Sequence, residues 1–309
     1  MSLYHCKNGV YGVLICLSLA LSACSTLPRN ALPAELIDQA AIPGMPVIRA
    51  YGGQLSPYMM TDLSLSFVQE SPEDFPVAPD GKIHYAHLAL SGGGQNGAFG
   101  AGLVNGWSKN GTRPIFKIVT GVSSGAMMAP FVFLGPEYDD ELQKFYTTTS
   151  SKNIFERLFI LSQLLRGESL LDSSPLQNMI AQLVDAEFLS NIAKAHQGGR
   201  RLYIGTTDLD SQQLVVWNMG LIASSGRPDA LDLFRKIMLA SSSIPVAFPP
   251  VLFKVEADDR KYDELHVDGA IKATVFYSAG VFNFESAQKN SPRGPGREDI
   301  YVIHNGQLG

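Results

Sequence analysis

Cysteine is nearly absent from this chain of 309 residues: it has three, Cys6, Cys16 and Cys24, and none follows. No disulfide framework can staple the rest of the chain, which must hold together through its core. Basic runs are absent too. The net charge is −5, and no cationic stripe offers itself to a phosphate backbone, which excludes nucleic acid as a partner. The apolar run over residues 10–21 is well short of the ~20 residues that cross a bilayer. Histidine is scarce as well. Beyond the first residues there are His84, His87, His196, His266 and His304, and no two have metal-ligand spacing beside an acid. The residues therefore imply no metal site and no cofactor.

What is present begins with a processing signal over residues 1–23. Lys7 precedes the apolar run, and Leu21-Ser22-Ala23-Cys24 closes it. This resembles a bacterial lipobox, in which small residues precede a cysteine that is acylated and becomes the new N-terminus. An ordinary signal peptide or an uncut anchor is the alternative. The expectation is an exported lipoprotein held at the membrane through Cys24, with Ser25 pointing to the outer membrane in a Gram-negative cell. Residues 24–80 carry Pro28, Pro33, Pro43 and Pro46 and a second proline-rich piece over 71–82. They read as a tether with little regular structure and a lead-in.

With 45% hydrophobic and 17% charged residues, the remainder over 81–309 reads as a globular domain. Short apolar runs suggest strands at 84–90 (HYAHLAL), 115–120 (IFKIVT), 202–206 (LYIGT), 213–218 (QLVVWN), 265–268 and 300–304. Helices are expected at about 98–109, from about Ala126, and at 231–240. Strand–helix alternation predicts an α/β sheet covered on both faces. Residues 154–165 (IFERLFILSQLL) read as a buried core helix or an interfacial one. Residues 288–298 read as an exposed loop.

Three stretches carry chemistry. In Gly121-Val122-Ser123-Ser124-Gly125 a serine sits between two glycines, with a strand-like run before it and a helix-like run after. That is the spacing of a nucleophile elbow. The competing reading is a tight turn in which Ser123 or Ser124 caps the helix. Gly92-Gly93-Gly94-Gln95-Asn96-Gly97 follows a strand and opens a helix. Its backbone N–H groups could cradle the oxyanion of an acyl transfer. The same glycines fit a dinucleotide loop, but no Asp or Glu occurs between Gly97 and Leu134 to hold a ribose; Arg113 could serve a phosphorylated one. A purely structural turn is the third reading. Asp268, before Gly269-Ala270, could accept the proton of Ser123, and burial would raise its pKa towards that task. His266 would share its strand face. His304 leaves two triads open, Ser123–Asp268–His304 and Ser123–Asp263–His304.

At these residues the chain resembles the patatin-like phospholipase family. Its glycine-rich loop, its G-x-S-x-G elbow and its D-G-[GA] aspartate stand here in family order. The stretch from Ala240 to Pro250 (ASSSIPVAFPP) is similar to a fourth family segment. The resemblance implies a three-layer α/β/α fold with a mainly parallel central sheet. It implies Ser123 as nucleophile, Asp268 as base, and an oxyanion hole at Gly92, Gly93 and Gly94. The implied reaction is hydrolysis of lipid acyl esters, of the phospholipase A, lysophospholipase or esterase type. One departure is Asn96, where the family usually carries Arg or Lys; it favours a neutral lipid or simple ester over a phospholipid. A non-catalytic binding module on the same fold is the competing class.

Overall fold

The computed structural model describes residues 29–147, 172–289 and 291–306. Cys24, the signal expected over 1–23 and the apolar stretch 154–165 lie outside the described residues. Eight strands form one sheet: β1 (Arg49–Tyr51), β2 (His84–Leu90), β3 (Phe116–Val122), β4 (Arg201–Asp208), β5 (Gln213–Asn218), β6 (Val251–Ala257), β7 (Arg260–Asp268) and β8 (Arg297–Ile303). The order is β1-β5-β4-β3-β2-β8, with the β6–β7 hairpin joining at β4. β8, β2, β3 and β4 are parallel neighbours; β5, β1 and the hairpin add antiparallel pairs on the β4 side. β3 and β4 are buried along their whole length, as parallel strands covered on both faces must be. Their side chains alternate between two cores: Leu202 and Ile204 enter one, Tyr203 the other.

Helices cover both faces, giving three layers. On one face lie α1 (Pro57–Gln69), α9 (Phe284–Gln288) and the chain around Phe276. On the other lie α2 (Gly97–Lys109), α3 (Ser124–Leu134), α4 (Asp139–Thr147), α5 (Ser174–Leu183), α6 (Ala186–Gln197), α7 (Met219–Ala223) and α8 (Ala230–Ser241). The helices expected from sequence do not include α1. It forms because Met59, Leu63 and Phe67 recur every fourth residue, with Ser56 as N-cap and Pro57 in the first turn.

The described part of the supposed tether is no tether. Leu32, Ile42, Met45 and Ile48 are buried in the core, and β1 adds a strand to the edge of β5. Arg29 pairs with Asp210 in the β4–β5 turn at 2.5 Å. Asn30 exchanges backbone and side-chain hydrogen bonds with Asp263 on β7. Arg49 meets the buried Glu264 at 2.5 Å. Proline removes regular hydrogen bonding from such a stretch but leaves its apolar side chains free to be buried.

One feature of the sheet decides the site. β3 and β7 share the same edge of β4. Val122 pairs with Gly205, and the next residue of β4, Thr206, pairs with Asp268. β3 runs up this edge and β7 runs down it. The two strands meet end to end, so residues far apart in sequence become neighbours where they stop.

Candidate active site

β3 stops at Val122 and α3 starts at Ser124, so the chain must reverse on one residue. Ser123 takes φ 54°, ψ −127°, a conformation costing a non-glycine residue roughly 1–3 kcal/mol. The flanking glycines permit the turn by closeness. A Cβ on Gly121 would meet the Gly125 backbone, and one on Gly125 would run into the carbonyl of Leu90 on β2. The capping alternative for Ser123 is excluded, since its side chain makes no bond to the helix. Its Oγ–H donates instead to Oδ2 of Asp268, 145 positions away, at 2.6 Å.

Asp268 is 2% exposed. Its Oδ1 accepts the Ala270 N–H at 2.8 Å. Burial pushes its pKa up to about 6, against the opposing pull of the hydrogen bonds from Ser123 and Ala270. Gly269 is required because a Cβ there would enter the carbonyl of Gly205.

The serines at the C-terminal end of α8, Ser241 to Ser243, hold both groups, a role not among those expected from sequence. The Ser123 N–H donates to Ser241 Oγ at 3.0 Å, and Ser241 in turn donates to the Gly205 carbonyl. Ser242 donates to the Ser123 carbonyl, and the Asp268 N–H donates to the Ser243 carbonyl. The signal was visible as three consecutive serines ending a helix, a place where hydroxyls find backbone groups. Ser241→Ala leaves the buried Ser123 N–H without its acceptor. The expected cost is about 1–3 kcal/mol, read by chemical denaturation, with a fall in turnover because the elbow loses its brace.

The glycine loop lies directly over the hydroxyl. A Cβ on Gly92 would sit 3.1 Å from Ser123 Cβ and 3.2 Å from Ala270 Cβ. The expectation for Gly92 as an oxyanion donor needs correction. Its N–H is spent on the carbonyl of Thr274 at 2.9 Å. The N–H groups of Gly93 and Gly94 have no acceptor among the described residues. Gly94 has φ 56° and lines a cavity of about 20 Å³ with Ser123, Ser124, Met127, Leu176, Ser242 and Ile244. Asn305 anchors the loop from behind through two bonds to Ser91. No local motif marked Asn305 or Thr274.

The alternative partners are engaged elsewhere. Asp263 binds Asn30 and Lys254. His266 bonds Thr206 and Glu264 within the core. His304 is exposed, with no hydrogen bond to Ser123 or Asp268 among the described residues. Arg113, the candidate for a phosphorylated ribose, donates to Ser108, Asp139 and the Val132 carbonyl. Among the described residues no group of three or more His, Cys, Asp and Glu side chains could hold a metal, and no helix is long and apolar enough to cross a membrane.

A family model described as patatin-like phospholipase matches residues 88–279, which spans all three motifs and the serines at the end of α8. No curated protein sequence matches the chain. Similar solved structures include VipD from Legionella pneumophila, at 14% identity and TM-score 0.35, covering 66% of this chain and 50% of that one. Human GIVD cytosolic phospholipase A2 is similar at 11% identity and TM-score 0.34, over 74% of this chain and 46% of that one. The chain thus spans about half the length of each.

Proposed function

Because the chain belongs to the patatin-like phospholipase family, a family of lipid hydrolases, we propose that it cleaves lipid acyl esters through a Ser123–Asp268 dyad. The observation that carries the reading is the 2.6 Å hydrogen bond from Ser123 Oγ to a buried carboxylate. A hydroxyl is a weak nucleophile until a base takes its proton, and a carboxyl tuned to about 6 by burial is mostly ionised and still basic at neutral pH.

Ser123 Oγ attacks the ester carbonyl carbon while its proton passes to Asp268 Oδ2. The carbonyl oxygen becomes an oxyanion. The free N–H groups of Gly93 and Gly94 meet it, and the positive end of α3 favours it. Collapse breaks the ester C–O bond, and the leaving alcohol takes the proton from Asp268. Water then attacks the acyl-serine with Asp268 again as base, releasing a fatty acid and restoring Ser123. The cavity beside the hydroxyl, about 20 Å³, has the size of one water molecule. The acyl chain must therefore approach past Gly94, Leu176 and Ile244.

The substrate is proposed to be a neutral lipid or simple ester more than a phospholipid. The loop that meets the ester carries Asn96 and no cation that could pair with a phosphate. Acylation of Cys24 would place the enzyme at a membrane after export. A fluorophosphonate probe should label the protein at Ser123, and a panel of triglyceride, monoglyceride, lysophospholipid and phospholipid should show fatty-acid release. Active protein that resists the probe removes Ser123 as nucleophile. Folded protein that turns over neither the panel nor a nitrophenyl ester supports the binding-module class instead.

A further inference from the structure

Three large apolar side chains stand in solvent beside the site. Phe99 is 64% exposed, Val246 64% and Ile271 54%. Each lies within a few residues, along the chain, of a residue of the site. Phe99 lies in the first turn of α2, directly after the glycine loop. Ile271 follows Asp268 by three residues, and Val246 follows the cavity-lining Ile244 by two. Leu103, 47% exposed, extends the Phe99 face by one helical turn.

Val246 is the most informative of them. It has φ 71°, which a β-branched residue avoids. The turn is locked by two hydrogen bonds, from the Ala247 and Phe248 N–H groups to the Ile244 carbonyl. Backbone strain here holds an aliphatic side chain away from the protein. Water alone offers no return for that arrangement.

Arg29 and Asn30 are clamped on Asp210 and Asp263. Asp210 lies in the turn at the C-terminal end of β4, the end of the sheet where Ser123 and Asp268 sit. Arg29 is five residues on from Cys24, so even a fully extended leash reaches only about 17 Å. The opposite end of the sheet is marked by α1, whose C-terminal half lies against Lys117 at the start of β3 and Gly199 just before β4.

We propose that Phe99, Val246 and Ile271 form a membrane-seating rim that sinks into the lipid–water interface, with the short leash from Cys24 holding the catalytic end of the sheet against the bilayer. The proposal rests on the lipid-hydrolase reading and on acylation of Cys24. The apolar rim removes exposed hydrocarbon from water on contact, and the leash confines the body to an orientation in which that contact is made. Ester bonds at the interface then face Gly94 without leaving the membrane.

The test uses the full acylated chain in phosphatidylcholine vesicles with brominated acyl chains, which quench tryptophan on contact. Phe99→Trp, Val246→Trp and Ile271→Trp are compared with Val68→Trp on the exposed side of α1, each after subtraction of the parent signal from Trp107 and Trp217. Quenching of at least twofold at the three rim positions, and none at 68, is the expected result. Equal quenching at 68, or no quenching at the rim, overturns the proposal. A blue shift of the rim tryptophans in buffer without vesicles, growing with protein concentration, also overturns it, because the rim then joins two copies of the chain. Ester turnover by the parent protein is measured alongside; its absence would sink the hydrolase reading, while the quenching pattern would still report how the body sits.

Discussion

Ser123→Ala is expected to lower ester turnover by about 10⁴- to 10⁶-fold, the scale on which serine hydrolases depend on their nucleophile, with circular dichroism unchanged. The side chain is small and its removal opens little space. What disappears is the atom that, among the described residues, stands both at the apex of the turn and on the carboxylate. The loss also takes away the hydrogen bond that favours ionised Asp268, so its pKa should climb above about 6. Ser124 stands next in the chain and lines the same cavity, which makes it the natural suspect for a substitute nucleophile. Its Oγ has no hydrogen-bond partner among the described residues, hence no base. Activity within tenfold of the parent in Ser123→Ala would mean the chemistry runs through another group.

Asp268→Asn should cost turnover about 10³- to 10⁴-fold and stabilise the fold. The amide cannot accept the proton, although it can still accept the Ala270 N–H. The stability effect follows from linkage. The folded protein holds the Asp268 proton more tightly than the unfolded chain, with a pKa of about 6 against 3.8. The contribution of this group is therefore fully present below about pH 4 and is lost as pH rises to and through about 6. At neutral pH the ionised, buried carboxylate costs the fold roughly 3 kcal/mol. Denaturation curves of parent and variant should coincide in this respect near pH 4 and separate by pH 7, the variant being the more stable. Activity runs the opposite way. In the parent, kcat/KM should rise with pH through about 6 and then level off, as the base becomes ionised. A variant no more stable than its parent at pH 7 would show that the carboxylate is less deprived of water than its burial indicates.

The residues of the site were legible where close approach dictates residue type. Gly121, Gly125 and Gly269 each stand where a Cβ would strike backbone, so their spacing exposed the elbow and the aspartate before any geometry was known. The alternation of β2, β3 and β4 with helices was legible for the same local reason. The donor set of the loop was not. Whether the Gly92 N–H is free depends on Thr274, some 180 residues downstream, and no local rule connects them. Ser241 reaches Ser123 across 118 positions, and Asn305 reaches Ser91 across 214. The N-terminal segment was misread because proline density marks irregular backbone, and irregular backbone can still bury Ile42, Met45 and Ile48. The 2.6 Å contact itself belongs to tertiary structure, since nothing within either strand announces that β3 and β7 stop against each other.

That end-to-end stop makes β4 a ruler. The spacing between hydroxyl and carboxyl is counted off in its residues, Gly205 for one strand and Thr206 for the other. Inserting a single amino acid between those two would slide Asp268 by about 3.3 Å and turn it to the far side of the pleat. Such a protein would keep Ser123, Asp268 and most of its core, and is expected to be inert. Length, at this one place, is as indispensable as chemistry.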